Sequence, residues 1–258
     1  MTEIAALYDD WADDYDAAHA DWRLWVREHG ALLADALADR GLLPPSSVLD
    51  CTCGIGTQAI GLALAGYSVT GTDISVGEIE RATVESAGFG VDASFAVADL
   101  LDRSRLDPAV IAASRTFDAV LSANSLTHFA ELETIELAIA VMAASTRRGG
   151  VVAITNRDYD AVEASRPTST PPQRSVRDGV ARVSFQLWEW DDDGRSYAME
   201  DVLLKRAPGA AEWTVRSRTT RLRAWRRADI EAAAAAAGLT DFRWTHRGVQ
   251  PIFTAIKP

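Results

Sequence analysis

The residues Val48-Leu49-Asp50-Cys51-Thr52-Cys53-Gly54-Ile55-Gly56-Thr57 concentrate chemistry-bearing types at a spacing suited to ligand binding. A short apolar strand enters a turn, Gly54 and Gly56 let the backbone approach a ligand closely, and a helix leaves the turn. In an open α/β sheet, ligands dock at this point, outside the carboxyl ends of the strands. Three acids mark successive strand ends: Asp50, Asp73 and Asp99. A carboxylate at Asp50 would repel a pyrophosphate but suits a cationic amino group. Asp73 can accept both hydroxyls of a ribose, and Asp99 can take an adenine amino group. This set suits a nucleoside joined to an amino acid, with no phosphate. The same turn, read as Gly54-Ile55-Gly56-Thr57-Gln58-Ala59, also satisfies the G-x-G-x-x-A dinucleotide fingerprint. A nicotinamide-dependent oxidoreductase is therefore an alternative at this point.

The elements around the turn follow from hydrophobic patterning. Residues 7–39 read as helical, with Leu24, Leu32, Leu33 and Leu37 at helix-like spacing, and Pro44-Pro45 ends the stretch. Strands are then predicted at 48–50, 67–73, 94–98, 117–123 and 151–155, with helices at 60–65, 76–86 and 132–145 between them. Gly149-Gly150 is expected to stop the last of these helices. Strands alternating with helices imply a parallel sheet with right-handed crossovers. Residues 157–178, with prolines among Ser, Thr and Arg, read as an irregular excursion. Strand-like runs at 181–190, 197–205 and 213–223 follow, the first two joined by the hairpin turn Asp191-Asp192-Asp193-Gly194. A helix over 226–237 and strands at 241–245 and 252–256 complete the chain. The expected fold is α/β, a doubly wound, seven-stranded, mostly parallel, Rossmann-like sheet with an inserted antiparallel sheet. The expected units are an N-terminal helical cap (1–45), the core (46–156), the insert (157–225) and a C-terminal completion of the core (226–258).

Composition limits the partners. The formal net charge is -11 over 258 residues, which repels a phosphate backbone, so nucleic acid is not the expected partner. No run approaches the roughly 20 apolar residues of a membrane span. The N-terminus lacks a basic leader, and the expected location is a reducing cytoplasm. The two cysteines, Cys51 and Cys53, are too few for a zinc set and too close for a disulfide, and no metal is expected.

The segments VLDCTCGIGTQAIGLA, GTDIS, VADL, FDAVLSANSLTHF and RRGGVVAI resemble the successive motifs of class I S-adenosylmethionine-dependent methyltransferases over residues 48–155. The resemblance implies S-adenosylmethionine as cofactor. It places Tyr8, Tyr15, Asp50, Cys51, Gly54, Gly56, Asp73, Ile74, Asp99, Leu100 and Ala123 around it. A narrower likeness, carried by Tyr8-Asp9-Asp10, by Asn124-Ser125-Leu126-Thr127-His128 and by Asn156-Arg157-Asp158-Tyr159-Asp160, is to glycine N-methyltransferases and glycine/sarcosine methyltransferases. It implies that Tyr8 approaches the sulfonium end and that Asn124 and Arg157 hold an amino-acid acceptor, Arg157 by its carboxylate. His128 is a candidate base, with a helix-capping role as its alternative, and Asp158 and Asp160 are alternative partners for Arg157. The likeness departs at Arg174-Ser175-Val176-Arg177, where those enzymes carry tyrosines near the substrate nitrogen. The lack of an N-P-P-[YF]-type tetrapeptide at Asn124 argues against a protein or nucleic-acid substrate. The reading is methyl transfer to a small-molecule nitrogen, in a chain that can form a homo-oligomer. A small-molecule O-methyltransferase and a non-catalytic cofactor-binding protein are the alternatives beside the oxidoreductase.

Overall fold

The computed structural model describes residues 3–102, 116–162, 165–246, 248 and 250–258. The chain opens with α1 (Glu3–Trp11), a 3-10 segment (Ala12–Ala18) and α2 (Trp22–Ala38). The core then runs β1 (Ser47–Asp50), α3 (Thr57–Leu64), β2 (Ser68–Asp73), α4 (Val76–Phe89), β3 (Ala93–Val97), β4 (Phe117–Ala123), α5 (Leu132–Ser145) and β5 (Thr146–Thr155). After the short α6 (Tyr159–Val162) come β6 (Gln173–Arg177), β7 (Val180–Trp190), β8 (Ser196–Arg206) and β9 (Thr214–Arg223). The last elements are α7 (Arg227–Ala236), β10 (Thr240–Thr245) and β11 (Ile252–Ile256).

The core sheet has the order β10-β11-β5-β4-β1-β2-β3, and β6-β7-β8-β9 form a separate antiparallel sheet. Strands β5, β4, β1, β2 and β3 are parallel, while β11 runs antiparallel to both β5 and β10. Because β1 lies between β2 and β4, the chain reverses its winding there, and the carboxyl ends of these strands open onto one crevice. Val48, Val120 and Val152 are fully buried, as strands covered on both faces require. One face packs against α5 and α7 through Ile139, Met142, Ile230 and Ala234; the other packs against α2 and α3 through Leu33, Leu37 and Leu62.

Three local features differ from the reading of the sequence. The single helix expected over 7–39 is broken: His19 is extended, and the Asp21 carboxylate caps α2 by accepting the Leu24 N–H at 3.0 Å. Gly149-Gly150 lies inside β5 rather than before it, with Gly149 at φ +71° and the β4–β5 register shifting opposite. The excursion after residue 157 contains a fourth antiparallel strand, β6. It is an edge strand with Val176 64% exposed, so it lacks the apolar alternation that marks a half-buried strand.

Helices α2 and α3 meet backbone to backbone. A Cβ built on Gly30 would stand 2.4 Å from the Gly61 carbonyl carbon, and one on Gly61 would stand 2.5 Å from the Val26 carbonyl oxygen. Gly30→Ala would gain about 1 kcal/mol of helix propensity. The clash is with main chain that cannot step aside, and overpacking of this kind costs about 1–3 kcal/mol or more. The variant is therefore expected to be less stable than the parent in a urea titration, against the propensity scale.

Candidate functional site

One cavity of about 440 Å³ opens at the carboxyl ends of β1, β2, β3 and β4, roofed by α1 and the 3-10 segment and floored by the antiparallel sheet. Its wall at the first turn is bare backbone. Gly54 has φ +53°, and a Cβ there would fall 2.9 Å from Glu78 Oε2, so the loop demands glycine. Asp73 ties this loop to the next one: its Oδ2 accepts the Gly54 N–H at 2.9 Å and its Oδ1 the Ser75 N–H at 3.0 Å. Asp99 Oδ1 accepts the Leu101 N–H at 2.9 Å, and Ile74 and Leu100 supply apolar wall between the two acids.

Most residues singled out from the sequence face this cavity: Tyr8, Tyr15, Cys51, Gly54, Asp73, Ile74, Asp99, Leu100, Ala123, Asn124, His128 and Arg157. Asp50 and Gly56 do not line it. Asp50 is fully buried beneath the loop, with Oδ2 unpartnered among the described residues, so direct contact with a ligand's amino group is not what the geometry provides. Burial pushes its carboxyl up to about 7. Gly56 caps α3 at φ +86°, where a Cβ would press on Ile60 and Ala82, so its role is packing. Burial holds both cysteines as thiols, well above their usual range; Cys51 Sγ points at the Leu121 carbonyl at 2.9 Å.

Asn124 follows β4 in the left-handed region at φ 56°, a strained conformation for a residue with a side chain. Its N–H donates to the Thr155 carbonyl, and its Nδ2 donates to Gln250 Oε1 at 3.0 Å. His128 does not cap a helix. Its Nε2 lies 2.8 Å from the Tyr8 hydroxyl, its Nδ1 has no partner among the described residues, and burial holds it neutral, down to about 4. Asp158 and Asp160 pair with Arg227 rather than with Arg157. Arg157 instead stacks over the Trp188 ring at 4.0 Å and donates to the Tyr197 hydroxyl at 3.2 Å and Gln186 Oε1 at 3.4 Å. Among the described residues it has no carboxylate in ion-pair reach.

The sequence reading missed much of the floor. The hydroxyls of Tyr159 and Tyr197 meet at 2.7 Å beside Arg157, while residues 174–177, where tyrosines were looked for, form the sheet edge. Asp201 accepts from Gln186 Nε2 at 2.9 Å and Arg218 Nε at 3.0 Å, and the Arg218 guanidinium lies 4.6 Å from the Tyr8 ring. Only the β7–β8–β9 register brings these residues together, and no local motif announces a register. Trp188 and Trp190 back the floor and do not line the cavity.

The roof is bound by charge on two sides. Asp9 Oδ1 accepts from the Ser75 hydroxyl at 2.6 Å and the Gly77 N–H at 2.9 Å, docking α1 on α4. Asp14 takes Lys205 at 2.7 Å and Arg216 at 3.1 Å. Asp16 forms a bidentate pair with Arg182 at 2.9 and 2.8 Å, with Arg177 at 3.3 Å and Arg81 at 3.8 Å beside it. These arginines hold the Asp16 carboxyl below its usual range despite burial.

These ionisations give a pH dependence with a defined sign. Glu78 is pushed up to about 8 and Asp50 to about 7, both by burial, so the folded state keeps protons that the unfolded chain has released. Stability therefore falls as pH rises through this range. The depressed histidines His19 and His128 are neutral in both states above about 6.5 and add nothing there. The ligand-free protein is expected to lose about 2 kcal/mol between pH 6.5 and 8.5, read as a falling melting temperature.

The groups present fit S-adenosylmethionine. The loop is bare, acids stand where a ribose and an adenine would be read, and the unpartnered oxygens of Glu78 await a donor or acceptor. Among the described residues no group of three or more His, Cys, Asp or Glu could hold a metal ion, and no helix is long and apolar enough to cross a membrane.

Comparison with known proteins agrees with this geometry. Residues 48–150 match the model of the methyltransferase domain family. No curated protein sequence matches the chain. Among solved structures, Streptomyces venezuelae DesVI is similar over 100% of both chains, with 24% identity and a TM-score of 0.73. KedS8, a sugar N-methyltransferase from Streptoalloteichus sp ATCC 53650, has 18% identity over 100% of this chain and 94% of its own, with a TM-score of 0.71. CalS10, an amino pentose methyltransferase from Micromonospora echinaspora, has 18% identity over 96% of this chain and 97% of its own, with a TM-score of 0.70. At these identities the structural likeness carries the fold, and the activity rests on the family match, which falls on the segment that builds the cradle. Residues 48–150 thus carry a methyltransferase domain, which supports an S-adenosylmethionine-dependent methyltransferase.

Proposed function

We propose that the acceptor is a small, polar, amine-bearing metabolite that also carries an anionic group, methylated on nitrogen. In this division of labour, residues 46–156 hold the cofactor, 157–225 hold the acceptor, 1–45 cover both and 226–258 complete the core. The carrying observation is Arg157, a guanidinium on the cavity floor whose neighbours Trp188, Tyr197 and Gln186 are all neutral. A fork of this kind suits a carboxylate or phosphate. The hydroxyls and amides around it, from Tyr159, Tyr197, Gln186 and Asn124, suit a polyhydroxylated acceptor. An amino sugar that bears a phosphate or carboxylate meets these demands, in line with the sugar N-methyltransferase and amino pentose methyltransferase of the same fold. The likeness to glycine N-methyltransferases makes a free amino acid the second reading, which Arg157 also favours.

The cofactor supplies a methyl group already activated on a sulfonium, so the protein's task is positioning and exclusion of water, worth about 7–11 kcal/mol where alignment is good. Tyr8 and Tyr15 close the cavity from above, and the Tyr8–His128 contact fixes that closure. An amine reacts through its lone pair and needs only to arrive neutral. A hydroxyl acceptor needs a base with a pKa near the working pH, and His128, held near 4, is a poor one. That contrast favours nitrogen over oxygen. The test is a turnover screen of amino sugars, amino acids and phenols, read by released S-adenosylhomocysteine. Turnover of anionic amines carries the proposal; turnover confined to neutral hydroxyl acceptors overturns it.

A further inference from the structure

Glu78 is the most unusual side chain in the cavity wall, and no ligand group has been assigned to it. It is 1% exposed, and neither carboxyl oxygen has a hydrogen-bond partner among the described residues. Its position is the third of α4, after the N-cap Ser75, whose hydroxyl accepts the Glu78 N–H at 3.1 Å. A glutamate at this position ordinarily turns back and accepts the N-cap N–H, completing a capping box. Here the Ser75 N–H is already taken by Asp73 Oδ1 at 3.0 Å, and the Ser75 hydroxyl donates to Asp9. The carboxyl is thereby released from its local partner and lies over Gly54, on the side where the backbone is bare. An unpartnered buried polar group is destabilising, so a ligand that completes it is favoured.

We propose that Glu78 is a second cofactor-binding carboxyl, facing the same ribose diol as Asp73 and binding it as the neutral acid, a donor where Asp73 is an acceptor. The two acids divide the labour because they cannot both be carboxylates at low cost in a closed cavity. Burial raises the Asp73 carboxyl as well, but the backbone N–H groups of Gly54 and Ser75 oppose that rise and favour its charged form. Glu78 has only the Ile55 N–H near it, outside hydrogen-bond geometry, and burial with the neighbouring Asp73 charge raises it to about 8. The other groups facing it are Arg218 from β9 and Arg81 from α4, which lower it, and the Ile55 N–H of the loop; Tyr8 and Tyr15 of the roof and Cys53 of the loop are further titratable neighbours. Ionisation of Glu78 would both remove the donor and set a second negative charge beside Asp73.

Calorimetric binding of S-adenosylhomocysteine to the full chain tests this without acceptor or turnover. For the wild type, Kd is expected to be level from pH 6 to 7.5 and to weaken about tenfold per pH unit above about 8.5. Glu78→Gln keeps a donor and cannot ionise, so it should bind like the wild type at pH 6.5 and hold its affinity to pH 9.5. Glu78→Met should bind about tenfold more weakly at pH 6.5. The ligand's own amino group titrates equally in every variant, so the difference between wild type and Glu78→Gln isolates the protein group. Titration with 5′-methylthioadenosine, which keeps the ribose and lacks that amine, should reproduce the difference. Coincident pH profiles for wild type and Glu78→Gln, or undiminished binding by Glu78→Met at pH 6.5, would overturn the proposal. Binding of the cofactor product is independent of which acceptor is used, so its failure is distinguishable from failure of the acceptor assignment.

Discussion

Arg157→Ala is expected to raise the KM for the acceptor by roughly 30–150-fold, while the Kd for S-adenosylhomocysteine stays within about threefold. The magnitude follows from loss of a charge-assisted, bidentate contact, worth about 2–3 kcal/mol. Arg157→Lys separates charge from shape: it keeps the cation, loses the fork, and should fall between the two, near tenfold. The guanidinium also stacks on Trp188 and donates to Tyr197, so melting temperatures must be compared. A purely structural arginine would lower stability and kcat without singling out the acceptor's KM. An unchanged KM in a folded variant would remove Arg157 from the acceptor site, and with it the anionic group of the proposed substrate.

Arg182→Leu is expected to cause the largest loss of stability among single changes outside the core. The Arg182–Asp16 pair has side chains only 5% and 8% exposed and a two-pronged geometry. Such a pair is not strongly stabilising compared with an apolar pair of equal volume, because desolvation offsets the attraction. Removing one member is different, since it strands a buried charge, at about 3–5 kcal/mol. Arg177 and Arg81 stay near Asp16, which puts the expectation at the lower end, about 3 kcal/mol. For a chain of this size that is a fall of roughly 6–12 °C in melting temperature. The double variant Asp16→Leu with Arg182→Leu leaves no stranded charge and should recover most of the loss. Additive single effects would contradict this account.

Part of this architecture was legible in the sequence for a physical reason. Strands buried on both faces must be apolar runs, and the turn after β1 must contain glycine where the backbone is bare, so both leave local marks. The cradle residues Gly54, Asp73 and Asp99 were readable because each lies at or within a few residues of a strand's carboxyl end. The floor was not, because Tyr197 and Gln186 reach Arg157, and Arg218 reaches Asp201, through cross-strand register, which depends on pairings well apart in the chain. Glu78 was hidden differently. Its sequence context is that of an ordinary helix cap, and only the diversion of the Ser75 N–H to Asp73 shows that the carboxyl is spare. Nothing in the spacing of the acids of residues 9–16 marks Asp14 and Asp16, which are buried against arginine and lysine of the second sheet.

The same acids bear on kinetics. Because the roof segment is bonded to α4 through Asp9 and to the antiparallel sheet through Asp14 and Asp16, it cannot lift from one half of the cavity while staying seated on the other. Cofactor exchange and acceptor exchange then share one opening event. Each round of catalysis leaves a spent nucleoside that must depart before another methyl can enter, and its departure exposes the singly methylated product to solvent as well. Multiple methylation by this enzyme would accordingly be distributive, with the partly methylated species accumulating ahead of the fully methylated one.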